Sequence, residues 1–187
     1  MRDVTDSNNN KNTSNKGIDV KALSEYLFEF VKHPIHKIAQ LPDWNWKSIF
    51  TIQILLSIAS GILAGLIKLN FYRVAAGIFL MPIISTIGAL LLSLFIYYYF
   101  QFFENRTESY RRIFILVILS SIPFYLFQIL SEYLPFISVI GFAFTSLLAI
   151  VGLCENFKLE RKRAYIVVGM LFLLVFATWL TNLRTAG

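Results

Sequence analysis

Apolar residues in this chain run in long uninterrupted blocks separated by short polar links, without the frequent polar positions of a soluble domain. A hydrocarbon layer ~30 Å thick needs about 20 apolar residues at ~1.5 Å of helical rise each. Five blocks meet that requirement: 48–67, 74–103, 113–131, 134–154 and 164–181. The predicted fold class is therefore all-α, a polytopic membrane helix bundle with five transmembrane helices in a membrane domain spanning 48–187. The second block is longer than a bilayer demands, so it is expected to tilt, project or bend near Pro82. Pro123, in the middle of the third, predicts a kink whose freed carbonyl is satisfied by a neighbour such as Ser120. Only Glu132 and Tyr133 separate the third and fourth blocks, which makes those helices antiparallel neighbours.

Ahead of the blocks the pattern changes twice. Residues 1–17 are rich in Asn, Ser, Asp and Lys and nearly devoid of apolar side chains, so they are expected to form a disordered cytoplasmic tail. With no apolar stretch behind a basic start, the first span rather than a cleavable signal is expected to direct insertion. Residues 18–47 form an amphipathic juxtamembrane segment. There Val20, Leu23, Leu27, Phe30 and Val31 share a helical face, Pro34 interrupts it, and Lys21, Lys32 and Lys37 flank it. Such a segment either lies in the headgroup plane of an anionic leaflet or packs onto the bundle. Trp44, Trp46 and Lys47 suit the interface before the first span, the YYYFQFF run closes the second, and Trp179 marks the far end of the fifth.

Composition agrees with this class. Hydrophobic side chains make up 57% of the 187 residues, charged ones only 15%, and the mean hydropathy is +0.64. Soluble domains are roughly half apolar and about a quarter charged. The formal charge of +6 resides in short loops without the aromatic-interleaved basic surface that nucleic acid requires, so no nucleic-acid partner is expected. On one side of the bilayer the loops carry Lys32, Lys37, Lys47, Arg106, Arg111, Arg112, Lys158, Arg161, Lys162 and Arg163; on the other they carry Lys68, Arg73 and Arg184. This asymmetry puts the amino terminus and the basic loops in the cytoplasm and the carboxyl terminus on the far side. In a bacterium the cytoplasmic membrane would be the expected location.

No Asp, Glu, Lys, Arg or His lies within any of the five blocks. A charge at mid-bilayer costs ~2.5–3.5 kcal/mol on insertion scales and is usually retained for ion coupling, proton relay or catalysis. Its absence points away from intramembrane proteases and phosphate-transferring enzymes, so no catalytic, cofactor-binding or metal-binding residue is expected, and no cofactor. His33 and His36 read as interfacial histidines, and Cys154, beside Glu155 without a histidine, reads as a structural or acylatable thiol. Gln128 is expected to hydrogen-bond across helices. Small residues recur at four-residue intervals: Ser57, Gly61 and Gly65; Ser85, Ala89 and Ser93; Gly141, Thr145 and Ala149. Such stripes let backbones approach, either within the chain or at a homo-oligomer seam.

Two stretches carry a resemblance. The run ESYRRIFILVILSSIPFYL, Glu108 to Leu126, and the run SLLAIVGLCENFKLERKRAYIVVGM, Ser146 to Met170, resemble the charged turns and proline-containing third span of the Yip domain family, particularly its bacterial-type branch. The likeness extends from about Trp46 to Leu180. Eukaryotic members are named for interaction with Ypt and Rab GTPases, and the family has no established catalytic residues. The resemblance implies a non-enzymatic integral membrane protein acting in membrane organisation or trafficking-like processes through its tail and basic loops. The Asp-Leu-Tyr-Gly-Pro motif of eukaryotic tails is absent; the nearest text is LPDWNW, Leu41 to Trp46, so no residue carries over GTPase binding.

The candidate contact residues are Arg111, Arg112, Arg161, Lys162 and Arg163, facing anionic lipid headgroups or a cytoplasmic protein partner; alternatively they determine topology alone. The competing functional reading is a small transporter or channel subunit acting as an oligomer, with a pathway bounded by Gln53, Gln128 and the serine and threonine faces.

Overall fold

The computed structural model describes residues 20–67, 69, 71–131, 134 and 136–185. The expected tail 1–17 and the Glu132–Tyr133 link lie outside the described residues. The helices are α1 (Val20–Lys32), α2 (Pro34–Ile38), α3 (Trp46–Ile67), α4 (Phe71–Phe103), α5 (Tyr110–Ser120), α6 (Ile122–Ser131), α7 (Ile137–Phe157) and α8 (Arg161–Thr185).

Four helical stretches are long and apolar enough to cross a membrane: α3, α4, the continuous pair α5–α6, and α7. The protein is thus an all-α, multi-pass integral membrane protein. The fifth expected span, 164–181, falls within α8, but the side chains from 178 onward, Trp179 among them, lie outside the described residues.

Backbone chemistry explains where the helices bend and stop. Pro123 cannot donate to the carbonyl four residues back, and the third span breaks at Ser121, two residues before it. The Ser121 amide reaches both the Val117 and Ile118 carbonyls at 3.1 Å, and its hydroxyl donates to Val117 O at 2.7 Å. Ser120, the serine expected to satisfy a freed carbonyl, instead has its hydroxyl buried and unpartnered. α4 runs through Pro82 without ending; its 33 residues would measure about 50 Å if straight.

Both α4 and α7 end in the six-residue closure that a left-handed residue permits. Asn105 has φ 51° while Arg106 N–H donates back to Phe100 O at 3.2 Å. Lys158 has φ 52° while Leu159 N–H donates to Leu153 O at 3.3 Å. α7 therefore continues through Phe157, three residues past its apolar block.

α5 sits at the centre, with every residue from Ile113 to Ser120 buried. α3 and α4 form a tightly packed hairpin, α6 packs on α3 and α7, and α8 packs on α7. Glycine decides the hairpin's closeness. A Cβ built on Gly61 would lie 2.6 Å from the Cα of Gly77, and one on Gly65 would lie 2.7 Å from the Val74 amide nitrogen. The two backbones touch there because neither glycine carries a side chain.

Across one end of the bundle lie α1 and α2. Leu23, Phe30 and Ile38 are buried in the main core, and α2 packs on α7 and α5. Phe28, Val31 and Ile35 remain exposed on the same segment.

Candidate functional site

The end of the bundle that carries α1 and α2 also gathers the residues 39–45, the α4–α5 loop and the α7–α8 loop, and with them most of the chain's cations. Asn156 ties the first of these down. Its Nδ2 donates to Ile38 O at 2.8 Å and to Gly152 O at 3.0 Å, and its Oδ1 accepts from Leu41 N–H at 3.0 Å. A side chain on the last turn of α7 thereby satisfies two backbone groups of a segment more than a hundred residues earlier.

Arg106 closes the same helix from another loop. Its Nη2 donates to Phe157 O at 2.6 Å, placing a cation at the negative end of α7, and its guanidinium stacks 4.9 Å above the Phe100 ring.

The five candidate contact residues divide into distinct environments. Arg111 pairs with Asp43, joining the start of α5 to the segment before α3. Arg163 Nη1 meets Glu104 Oε1 at 2.7 Å, joining α8 to the end of α4, and its Nε lies 3.6 Å from Glu160. Arg112 stands 5.6 Å over the Phe157 ring. Arg161 and Lys162 are exposed, as is Lys158, and among the described residues neither Arg161 nor Lys162 makes an ion pair. The structure thus brings Arg161, Lys162 and Arg163 together on one turn, while Arg111 and Arg163 are committed to linking elements.

In α1, the Tyr26 hydroxyl donates to Lys37 O at 3.1 Å and the ring meets Trp44 edge-on at 5.0 Å. Burial pushes the Tyr26 phenol up to about 12. Lys37 pairs with Glu29 and, by that bond and its charge, holds the Glu29 carboxyl below its ordinary range.

The small-residue stripes take up separate tasks. Gly61 and Gly65 receive the α4 backbone, and Ser57 donates to its own helix at Gln53 O. Ser85 and Ser93 likewise donate to Pro82 O and Ala89 O. A Cβ on Gly141 would meet Phe127 Cβ at 2.8 Å, so this glycine seats α6 on α7. Ser85, Ala89, Thr145 and Ala149 face a common space between helices.

The glutamines do not share one path. Gln53 is fully buried and donates to the Tyr125 hydroxyl at 2.9 Å, while Ser60 donates to Tyr125 O at 3.1 Å. Gln128 faces the space beside α4, which Gln53 does not line.

Asn156, Gly77 and Tyr125 were not picked out by sequence reasoning, and Arg106 entered it only as a loop cation. Only Gly77 left a usable signal: it and Gly61 each lie eight residues from Leu69, the positions that oppose one another in a helical hairpin turning there.

The family model described as the Yip1 domain matches residues 28–181. No curated protein and no solved structure matches the chain.

Proposed function

Because the chain belongs to the Yip1 domain family, whose members are generally non-enzymatic membrane proteins, we propose that it is a non-enzymatic, bacterial-type member that organises membranes by presenting its basic end to anionic surfaces in the cytoplasm. In this reading α8 is the fifth crossing: its 25 residues extend about 37 Å, more than the ~30 Å of a hydrocarbon core. Five crossings would put the termini on opposite sides, and the concentration of cations at one end supports a cytoplasmic placement of that end.

The observation that carries the proposal is the split among the cations. Arg111 and Arg163 serve the fold through Asp43 and Glu104, whereas Arg161 and Lys162 are exposed at the start of α8 beside Lys158, with no such duty. Basic side chains next to a membrane surface each contribute ~1 kcal/mol of attraction to anionic lipid.

The test compares two double variants of the full chain purified in neutral micelles. Arg161→Gln with Lys162→Gln should weaken binding to phosphatidylglycerol-containing vesicles by about tenfold or more, at ~1 kcal/mol per cation, with unchanged thermal stability. Arg111→Gln with Arg163→Gln should lower stability instead. Unaltered vesicle binding in the first variant, with topology intact, would leave these cations a topological role only.

A further inference from the structure

The segment α1–α2 packs on the bundle with one face and leaves the other uncovered. Phe28, Val31 and Ile35 are 65%, 57% and 54% exposed, while Leu23, Phe30 and Ile38 on the inner face join the main core. What meets the outer face depends on how deep the segment lies.

That depth follows from α7. Its 21 residues rise about 31 Å, which matches a hydrocarbon core of ~30 Å, so Phe157 marks the edge of the apolar layer. Ile38 packs below that edge. A Cβ built on Gly152 would collide with Leu116 Cδ1 and lie 3.2 Å from Ile38 Cγ1. Gly152 is five residues, about 7 Å, short of the end of α7, and Leu116 is six residues, about 9 Å, inside the start of α5. α2 is thus lodged against the sides of α5 and α7, inside the bilayer rather than above it. The Tyr26 hydroxyl ties α1 to it through Lys37 O at 3.1 Å. Amphipathic helices at an interface bury their apolar faces ~5–10 Å into the headgroup and acyl boundary, which is the same depth. A soluble partner would have to part the headgroups to reach this face.

The charges fit the same place. At ~100° of turn per residue, Lys21, Phe28 and Lys32 fall within about 40° of one another, opposite Leu23 and Phe30. The Lys32 ammonium stands 4.3 Å over the Phe28 ring, so its stem runs beside an apolar group while its charge stays at the polar rim. Glu25 is exposed beside the two lysines, and Glu29 is offset by its pair with Lys37, which leaves the outer face net positive.

We propose that the outer face of α1–α2 is a lipid contact: Phe28, Val31 and Ile35 seat among the acyl chains of the protein's own leaflet at the basic end, and Lys21 and Lys32 reach its anionic phosphates. The contact is with the protein's own bilayer and does not depend on the surface that Arg161 and Lys162 meet.

The experiment uses the full chain with Cys154→Ser and one of Phe28→Cys, Ile35→Cys, Leu147→Cys or Lys162→Cys, spin-labelled in nanodiscs of phosphatidylcholine and phosphatidylglycerol. Collisions with oxygen, which concentrates in the apolar layer, are compared with collisions with a water-soluble nickel chelate. Labels at 28 and 35 should meet nickel at least fivefold less often than the label at 162, and should approach the behaviour of the label at the exposed position 147 of α7. Photoreactive phosphatidylglycerol should label residues 20–35 in excess of photoreactive phosphatidylcholine with the same chains. Lys21→Gln with Lys32→Gln should cut that excess about tenfold or more, at ~1 kcal/mol per cation. Nickel access at 28 and 35 equal to that at 162 would overturn the proposal. So would dipolar broadening between the labels of two copies, which would give the face to a second chain, equal labelling by the two lipids, or an excess unchanged in the lysine variant.

Discussion

Alanine at position 61 provides the sharpest test of how the membrane domain is held together. Its Cβ would lie 2.6 Å from Gly77 Cα, 2.8 Å from Gly77 O and 3.0 Å from Gly77 C, all backbone atoms that no side-chain rotation can move. Carbon atoms in contact sit ~3.5–4.0 Å apart, so α3 and α4 must separate by about 1 Å. Overpacking of this kind costs ~1–3 kcal/mol. Gly88→Ala on α4 supplies the opposite case, because its new methyl group meets nothing within 4 Å. It should be neutral or stabilising by at most ~1 kcal/mol through helix propensity. The assay is reversible unfolding in mixed micelles with increasing sodium dodecyl sulfate, followed by helical circular dichroism. Gly61→Ala should unfold at a clearly lower detergent fraction than the parent and Gly88→Ala at the same or a higher one. Adding Gly77→Ala to Gly61→Ala should cost less than the sum of the two, since both open one contact. A parental midpoint for Gly61→Ala, or an equal drop for Gly88→Ala, would refute the backbone-contact account.

Two further outcomes concern the basic end. Asn156→Ala removes the partner of Leu41 N–H and Ile38 O; at ~1–3 kcal/mol for a buried group left unpaired, hydrogen exchange across residues 38–45 should accelerate at least fivefold while the spans stay protected. Tyr26 ionises near 12 when docked, against an ordinary 10.0, so docking is fully supported below pH 10 and weakens as pH rises from 10 towards 12. Trp44 fluorescence in a Trp46→Phe, Trp179→Phe background should report that loss, and Tyr26→Phe should abolish its pH dependence.

Much of this architecture was legible because crossing a bilayer constrains length and polarity more tightly than folding in water does. The blocks 48–67 and 74–103 anticipate α3 and α4 to within three residues, and Pro123 announced the break that falls at Ser121. What hydropathy cannot see is where the backbone stops. The last turn of α7 reads as polar loop because of Glu155 and Asn156, yet it remains helical until Lys158 turns left-handed, and Asn156 then bonds inward. Similarly, a count of cations cannot separate Arg163, which pairs with Glu104, from Lys162 beside it, because pairing depends on which loops converge. The buried hydroxyls were beyond reach for the same reason. Ser120 and Thr145 are ordinary residues of apolar helices until the packing encloses their hydroxyls without a partner.

The measurement that bears most directly on the whole account is the sidedness of the two termini. In a Cys154→Ser background, single cysteines introduced by Ser14→Cys or Ala186→Cys would be treated in sealed, right-side-out cells with a membrane-impermeant maleimide. Five crossings with the basic end inside require that the cysteine at 186 reacts and that the one at 14 reacts only after permeabilisation. Reaction of both, or of neither, in sealed cells would leave an even number of crossings and contradict the orientation on which the proposed function stands.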